Sequence, residues 1–384
     1  MDIQSLAPVA AWFLSLIVIL IGLAVGSFLN VVIYRVPREM SIVTPRSHCP
    51  ACHTPIRISD NIPLFSFIRL KGRCRWCGQR ISIRYPLVEL ITAMLFWVVW
   101  RVDGLTWLLL TDWAFVSAMI ALAMIDLEHR LLPDRITYPG FVLTVGLRGF
   151  LSPNQDAAEL NLIDRHTALI GSALIALSAL VMFAIEWLDY HLIGRRLEQM
   201  ERARAAGDAT SDAHAAAGEP ASASSAVNEA LPAESSPPHG DPVNVITLTL
   251  AGLLAGVFFL TVINQPEAQT APRVEAIIGA WVGATLGAGT IWLLRAVYFV
   301  VRNIEGVGFG DIKMMMMVGA YLGWSSTFLT LLLASLLGSL IGVMIMIRQR
   351  DRFAGIPYGL FIAIAAVIAL LAGKPLVGWY WAQM

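Results

Sequence analysis

Charge is scarce in this sequence. Asp, Glu, Lys and Arg make up 14% of its 384 residues, hydrophobic residues make up 57%, and the mean hydropathy is +0.69. Soluble domains carry about 25% charged residues, so the composition excludes a soluble globular protein and points to an integral membrane protein. Formal net charge is zero, which gives no reason to expect nucleic acid as a partner. No basic residue precedes Arg35, which follows the first apolar run. A cleavable signal peptide has the reverse order, so the N-terminus does not read as one. The alternating segments of a membrane β-barrel are absent, which leaves an α-helical bundle. A glycine-rich nucleotide-binding fingerprint on a strand–helix unit is missing, and so is an inverted repeat of the transporter kind.

What is present is a series of apolar runs near the length of about 20 residues that crosses a bilayer. They fall at about 10–34, 86–101, 106–126, 136–150, 167–189, 244–263, 274–301, 312–324, 326–347 and 356–373. The runs at 136–150 and 312–324 are short and read as partial or tightly packed spans. Ten Lys/Arg residues lie between Arg35 and Arg84, and basic loops remain inside. Counting spans forward returns 126–135, 195–204, 302–311 and 348–352 to the same side. The expected topology has the N-terminus outside and every basic loop in the cytoplasm.

All four cysteines fall in the first of those loops, as CPAC (Cys49, Cys52) and CRWC (Cys74, Cys77). Thiolates two residues apart share a metal through a tight turn, and two such pairs supply a tetrahedral zinc site. A reducing compartment argues against disulfides. A shell of four cysteines leaves no open coordination position, so the zinc is expected to be structural. His48 and His53 flank the first pair and read as loop histidines. Glu89, within RYPLVE at the next membrane boundary, reads either as a functional carboxylate or as a cap or the partner of a loop arginine.

Asp126 closes a run without charge between Trp113 and Ile125, and Asp311 opens another after GVGFG. Both fall at the same predicted face. A lone Gly-Asp before a helix is usually a cap. Two carboxylates brought together, however, cannot both ionise easily. One then serves as acid and the other as base toward water, which cleaves a peptide bond without a covalent intermediate. The glycines at 306, 308 and 310 allow close backbone approach or unusual dihedrals. Asp134, after Pro133, reads as the N-cap of the next run, and Glu128, His129 and Arg130 as solvated turn residues.

GSFLNVVIYRVP, the two CxxC pairs, RYPLVE, MIDLEHRLLPD, GVGFGDIK and IPYGLFIAIAA occur in this order. In these motifs, over about 1–150 and 274–373, the chain resembles the bacterial prepilin leader peptidases. These are bifunctional aspartic peptidases and N-methyltransferases of type IV pilus and type II secretion systems. The resemblance implies that Asp126 and Asp311 are the catalytic pair and that the substrates are prepilins or pseudopilins in the lipid bilayer of the bacterial inner membrane. It also implies S-adenosylmethionine as methyl donor, used by the N-terminal loop region. Leu360 stands where the family commonly has a second proline, outside the expected catalytic pair.

The stretch 151–272 is one that the resembled family usually lacks. It holds two apolar runs around an Ala/Ser/Pro/Glu-rich segment whose composition cannot bury a core. Two added spans keep Asp311 on the side it would otherwise occupy. The expected architecture is an all-α polytopic protein of about eight core helices, an inserted two-helix hairpin and a small zinc loop. Its parts are 1–34, the first span; 35–85, the four-cysteine loop; 86–150, membrane core; 151–272, the insertion with its linker at about 195–243; and 273–384, the rest of the core. Two other readings fit parts of the pattern. One is a proton- or cation-coupled transporter using the aspartates, and the other is a scaffold without chemistry.

Overall fold

A computed structural model describes residues 8–151, 267–302, 306–349 and 357–381. Among them the chain is helical, and pairing outside helices is confined to isolated bridges at His48–Pro55 and Arg73–Arg80. The α-helices are α1 (Pro8–Arg35), the short α2 (Phe65–Arg69), α3 (Arg84–Asp103), α4 (Leu108–His129), α5 (Asp134–Leu151), α6 (Glu267–Arg302), α7 (Phe309–Leu322), α8 (Trp324–Gln349) and α9 (Tyr358–Trp381). Five of them, α1, α3, α4, α6 and α8, are long and apolar enough to cross a membrane. The protein is thus a multi-pass membrane protein. The runs expected at 167–189 and 244–263, and the linker between them, lie outside the described residues.

The four consecutive methionines are explained by where α7 lies. It is packed by α5, α6, α8 and α9, and Met314, Met315, Met316 and Met317 are each no more than 1% exposed. A helix apolar on every side must be surrounded, and unbranched methionine fills the irregular gaps between crossing neighbours. At 14 residues α7 is about 21 Å long, short of the ~30 Å hydrocarbon layer. It stops at Gly323, whose φ of 80° lies in the left-handed region that glycine enters without steric cost. Gly283 of α6 and Gly319 of α7 meet backbone to backbone with no room for a side chain. Such small-residue contacts let helices approach in lipid, where apolar burial gives little drive.

A second core joins α1, α3 and α4 through Ile33, Val88, Phe96, Trp100, Val116 and Ile125. Gly22 and Gly26, four residues apart in GLAVG, set the α1–α3 approach. A Cβ on Gly22 would lie 2.6 Å from Ala93 Cα, and one on Gly26 would lie 2.7 Å from Glu89 Cα. Helix α4 belongs to both cores, presenting Phe115, Met119 and Leu122 to one and Val116 and Ile125 to the other. At its start, the Tyr321 hydroxyl of α7 donates to Asp112 and lies 3.0 Å from Thr111 Oγ1. At its end, Arg84 of α3 pairs with Glu128, and Leu360 of α9 reaches Asp126. The end of α4 and the starts of α3, α5, α7 and α9 therefore share one end of the bundle.

Replacing Gly26 with leucine should drive side-chain atoms into the α3 backbone and destabilise the protein by about 1–3 kcal/mol. Thermal unfolding of detergent-purified protein reads this directly, and an unchanged midpoint would contradict the close α1–α3 contact.

Candidate functional site

Asp126 lies in the last turn of α4. The helix stops where Arg130 takes a left-handed conformation (φ 52°) and returns its N–H to the Asp126 carbonyl at 2.8 Å. The residues expected as solvated turn positions thus have local tasks, since Arg130 ends the helix and Glu128 binds Arg84. The Asp126 side chain is 6% exposed, and its Oδ2 accepts the Leu360 N–H at 3.1 Å. It also accepts from Gly359, where an added Cβ would stand 2.9 Å from Oδ2. The first turn of α9 therefore presents its unsatisfied N–H groups to the carboxylate, as helix N-termini do to anions. Leu360 supplies one of these N–H groups. A proline there would have no N–H to give.

Asp311 lies in the first turn of α7 and is 7% exposed. It is not the N-cap. Gly308 takes that position with extended dihedrals, and Asp311, three residues on, accepts the Gly308 N–H in the manner of a capping box. None of Gly306, Gly308 and Gly310 has positive φ, so unusual dihedrals do not explain them. Close approach explains two of them, because a Cβ on Gly310 would stand 2.8 Å from Leu132 Cβ and one on Gly306 2.5 Å from the Tyr298 ring, whereas Gly308 has ordinary space. Leu132 also touches the Gly359 position, so one leucine spaces the starts of α7 and α9 around the carboxylates. Asp126 is near enough for its charge to act on Asp311, and Arg295, 1% exposed, opposes it.

Asp134 is the first residue of α5, not its cap. Both its oxygens lie 2.8 Å from Lys313 Nζ, which sits over the rings of Phe309 and Tyr138 at 4.8 and 5.1 Å. This ion pair ties the lysine of GVGFGDIK to the loop after Asp126 and fixes the turn that carries Asp311.

The four cysteine sulfurs, from Cys49, Cys52, Cys74 and Cys77, lie within 4.8 Å of one another, with Cys49 and Cys77 3.8 Å apart. Four sulfurs 2.3 Å from a central ion would be about 3.8 Å apart, so the set fits a tetrahedral metal site. The two turns repeat each other. His53 N–H bonds the Cys49 carbonyl and Gly78 N–H bonds the Cys74 carbonyl, with φ of 53° and 69°. His53 thus fills a backbone position, and neither histidine joins the metal-competent group. The Thr54 hydroxyl and backbone lower the Cys52 thiol to about 6, and N–H groups of Cys77 and Trp76 lower Cys74. Both shifts favour the thiolates a metal requires, whereas Cys77, despite the Gln79 backbone bond that lowers it, is pushed up to about 11 by burial and the three neighbouring thiols. Asp60 clamps the loop, accepting from Arg75 at 2.6 and 2.7 Å and from Arg69 at 2.6 Å. Arg75, then Arg69, hold its carboxyl below the usual carboxylate range.

Glu89 is buried, and its Oε2 accepts the Leu64 N–H at 2.8 Å rather than a loop arginine. Arg295, Leu132, Gly359 and the Leu360 N–H were not foreseen as parts of the carboxylate site. An arginine inside an apolar run was the available signal for the first. Nothing in sequence marks a backbone donor.

A multi-pass membrane protein with two buried carboxylates that interact electrostatically at one end of its bundle, and with a four-cysteine loop, defines the class. The chain belongs to the type IV leader peptidase family. That family's model matches residues 113–194 and 245–343, and the model of the bacterial peptidase A24 N-terminal domain matches 20–102. A prepilin leader peptidase/N-methyltransferase of Myxococcus xanthus is 44% identical over 44% of this chain and 47% of its own length. Proteins of the same name from Aeromonas salmonicida and Pseudomonas aeruginosa are each 28% identical. The first alignment covers 98% of this chain and 97% of the relative, the second 94% and 91%. No solved structure matches. The family match runs through both apolar runs of the stretch taken as an insertion, and only 195–244 falls outside it. The departure from the family is thus narrower than 151–272.

Substituting any one of Cys49, Cys52, Cys74 or Cys77 with serine should lower bound metal from about one ion per chain to near none. Elemental analysis of reduced, freshly purified protein measures this, and metal-free wild-type protein would refute the site.

Proposed function

We propose that the protein is an inner-membrane aspartic endopeptidase that removes prepilin or pseudopilin leaders at the cytoplasmic face and then methylates the new N-terminus from S-adenosylmethionine. The observation that carries the peptidase reading is that Asp126 and Asp311, buried on separate helices, lie near enough for their charges to interact. Asp126, accepting N–H bonds at the start of α9, is the ionised base that activates water. Asp311, on the buried α7, holds the proton, polarises the scissile carbonyl and protonates the leaving amine. The transport reading finds no support, since both carboxylates lie in terminal turns rather than mid-helix.

The N-terminus is outside, and the basic loop 35–85 is cytoplasmic. The ion of the four-cysteine loop is zinc, in a structural role, with Cys49, Cys52, Cys74 and Cys77 as ligands. Its thiolate set closes the coordination shell, so the metal organises the loop and takes no part in cleavage.

Asp126→Asn and Asp311→Asn should each lower cleavage of a prepilin by about 10²–10⁴-fold, because an amide neither serves as base nor gives up the shared proton. Gly359→Ala, whose Cβ would displace the Asp126 carboxylate, should cost about 10²-fold by misplacement alone. Initial rates on a purified prepilin measure all three. Substantial cleavage by the Asp311→Asn protein would sink the dyad.

A further inference from the structure

A cavity of about 680 Å³ lies between the four-cysteine loop and the adjoining ends of α1 and α3, and neither Asp126 nor Asp311 lines it. Its lining includes Ser27 and Asn30 of α1 and Glu89 of α3. The tight packing at Gly26 holds Glu89 against α1. Asn30 is 3% exposed, and its Nδ2 donates to the Gly26 and Tyr85 carbonyls at 3.3 and 3.0 Å. Two carbonyl partners fix the orientation of the amide, since only its nitrogen can donate to them. Its Oδ1 is then a buried acceptor without a hydrogen bond, a costly state that a ligand with N–H groups would relieve. Glu89, which lines the same cavity, presents a carboxylate held by the Leu64 N–H and the Ser27 hydroxyl, with acceptor capacity to spare.

Five arginines line the same cavity; Arg80 is exposed on the loop side, and the other four are already engaged. Arg84 pairs with Glu128, Arg75 with Asp60, Arg38 donates to the Tyr34 carbonyl, and Arg35 donates to the Ser41 and Pro45 carbonyls. A buried carboxylate and an orphaned amide oxygen remain at the membrane side. This is the complement of a small, donor-only cation, a primary ammonium.

We propose that Glu89 and Asn30 form the subsite for the α-amine of the trimmed substrate. This deepens the functional reading above and rests on its methyltransferase half. Arg84 of the cavity wall binds Glu128, two residues beyond Asp126, so this wall adjoins the end of α4 that carries Asp126. Asn30 Oδ1 accepts one ammonium N–H. Glu89 accepts a second and takes its proton, leaving a neutral amine with its lone pair free. That pair forms the new N–C bond to the methyl group of a methylsulfonium donor. The C–S bond breaks with its electrons left on sulfur, giving a thioether and an N-methylammonium, and the Glu89 proton passes to water.

The test uses the full-length detergent-purified protein, without methyl donor, and a synthetic peptide bearing the mature N-terminus of a prepilin. Fluorescence anisotropy compares the free-amine peptide with its N-acetyl form. Wild-type protein should prefer the free amine by about tenfold or more, the loss expected when a buried charged partner is removed. Glu89→Gln, which keeps an acceptor for the Leu64 N–H, should abolish the preference, and Glu89→Asp should retain part of it. Equal binding of the two peptides by wild-type protein, a comparison that needs no variant to fold, overturns the proposal. So does an undiminished preference in Glu89→Gln. Methyl incorporation from S-adenosylmethionine into the free-amine peptide, read by mass spectrometry, is a separate arm. Its absence in wild-type protein overturns the methyltransferase reading, whereas methylation without amine preference overturns only the role given to Glu89 and Asn30.

Discussion

The burial of α7 on every face is the constraint from which the site follows. A 14-residue helix with Met314 to Met317 all inside has no side to offer lipid, so α5, α6, α8 and α9 must enclose it. Enclosure fixes where its first turn emerges, and Asp311 is in that turn. The glycines are the places where enclosure would otherwise fail. Gly319 meets Gly283 at backbone contact, and Gly310 meets Leu132. Each admits a neighbour that a side chain would push away, and each displacement would be passed to the carboxylates.

Holding charge at such a position is costly, and the bundle offsets the cost with fixed dipoles in place of water. Asp126 receives N–H groups from the start of α9, and Asp311 receives one from the start of its own helix. Arg295 adds a positive charge on the Asp311 side. The Lys313–Asp134 pair fastens the two motifs that carry the aspartates, so the start of α5 helps to orient α7. Preorganisation of this kind favours charge development at the reacting centre without solvent rearrangement.

Much of this was legible in sequence. Apolar length located the helices, with bounds shifting by a few residues where caps such as Arg130 and Gly323 decided the end. Spacing alone identified the four cysteines. The lone carboxylates at the edges of apolar runs identified Asp126 and Asp311, because ionisable groups at that depth need a reason. The illegible part consists of contacts between elements distant in sequence. Asp134 looked like a cap because the helix start is local information, whereas its partner Lys313 lies 179 residues away. The Leu360 N–H is invisible because every non-proline residue carries one. Glu89 had no local explanation, and it found one only when Leu64 and Asn30 were placed around it.

The central claim is that the end of α4 and the start of α7 meet at their carboxylates, and proximity crosslinking tests it most directly. Protein carrying Asp126→Cys together with Asp311→Cys is treated in membranes with a short bifunctional thiol reagent, and the joined peptides are identified by mass spectrometry. Identification by peptide keeps the four native cysteines from confusing the result, and the Asp134→Cys, Lys313→Cys pair serves as a reference for neighbouring positions. The account predicts a 126–311 crosslink in yield comparable to the 134–313 reference. Efficient single modification at 126 and 311 without their crosslink, in protein where 134 and 313 join, would contradict it.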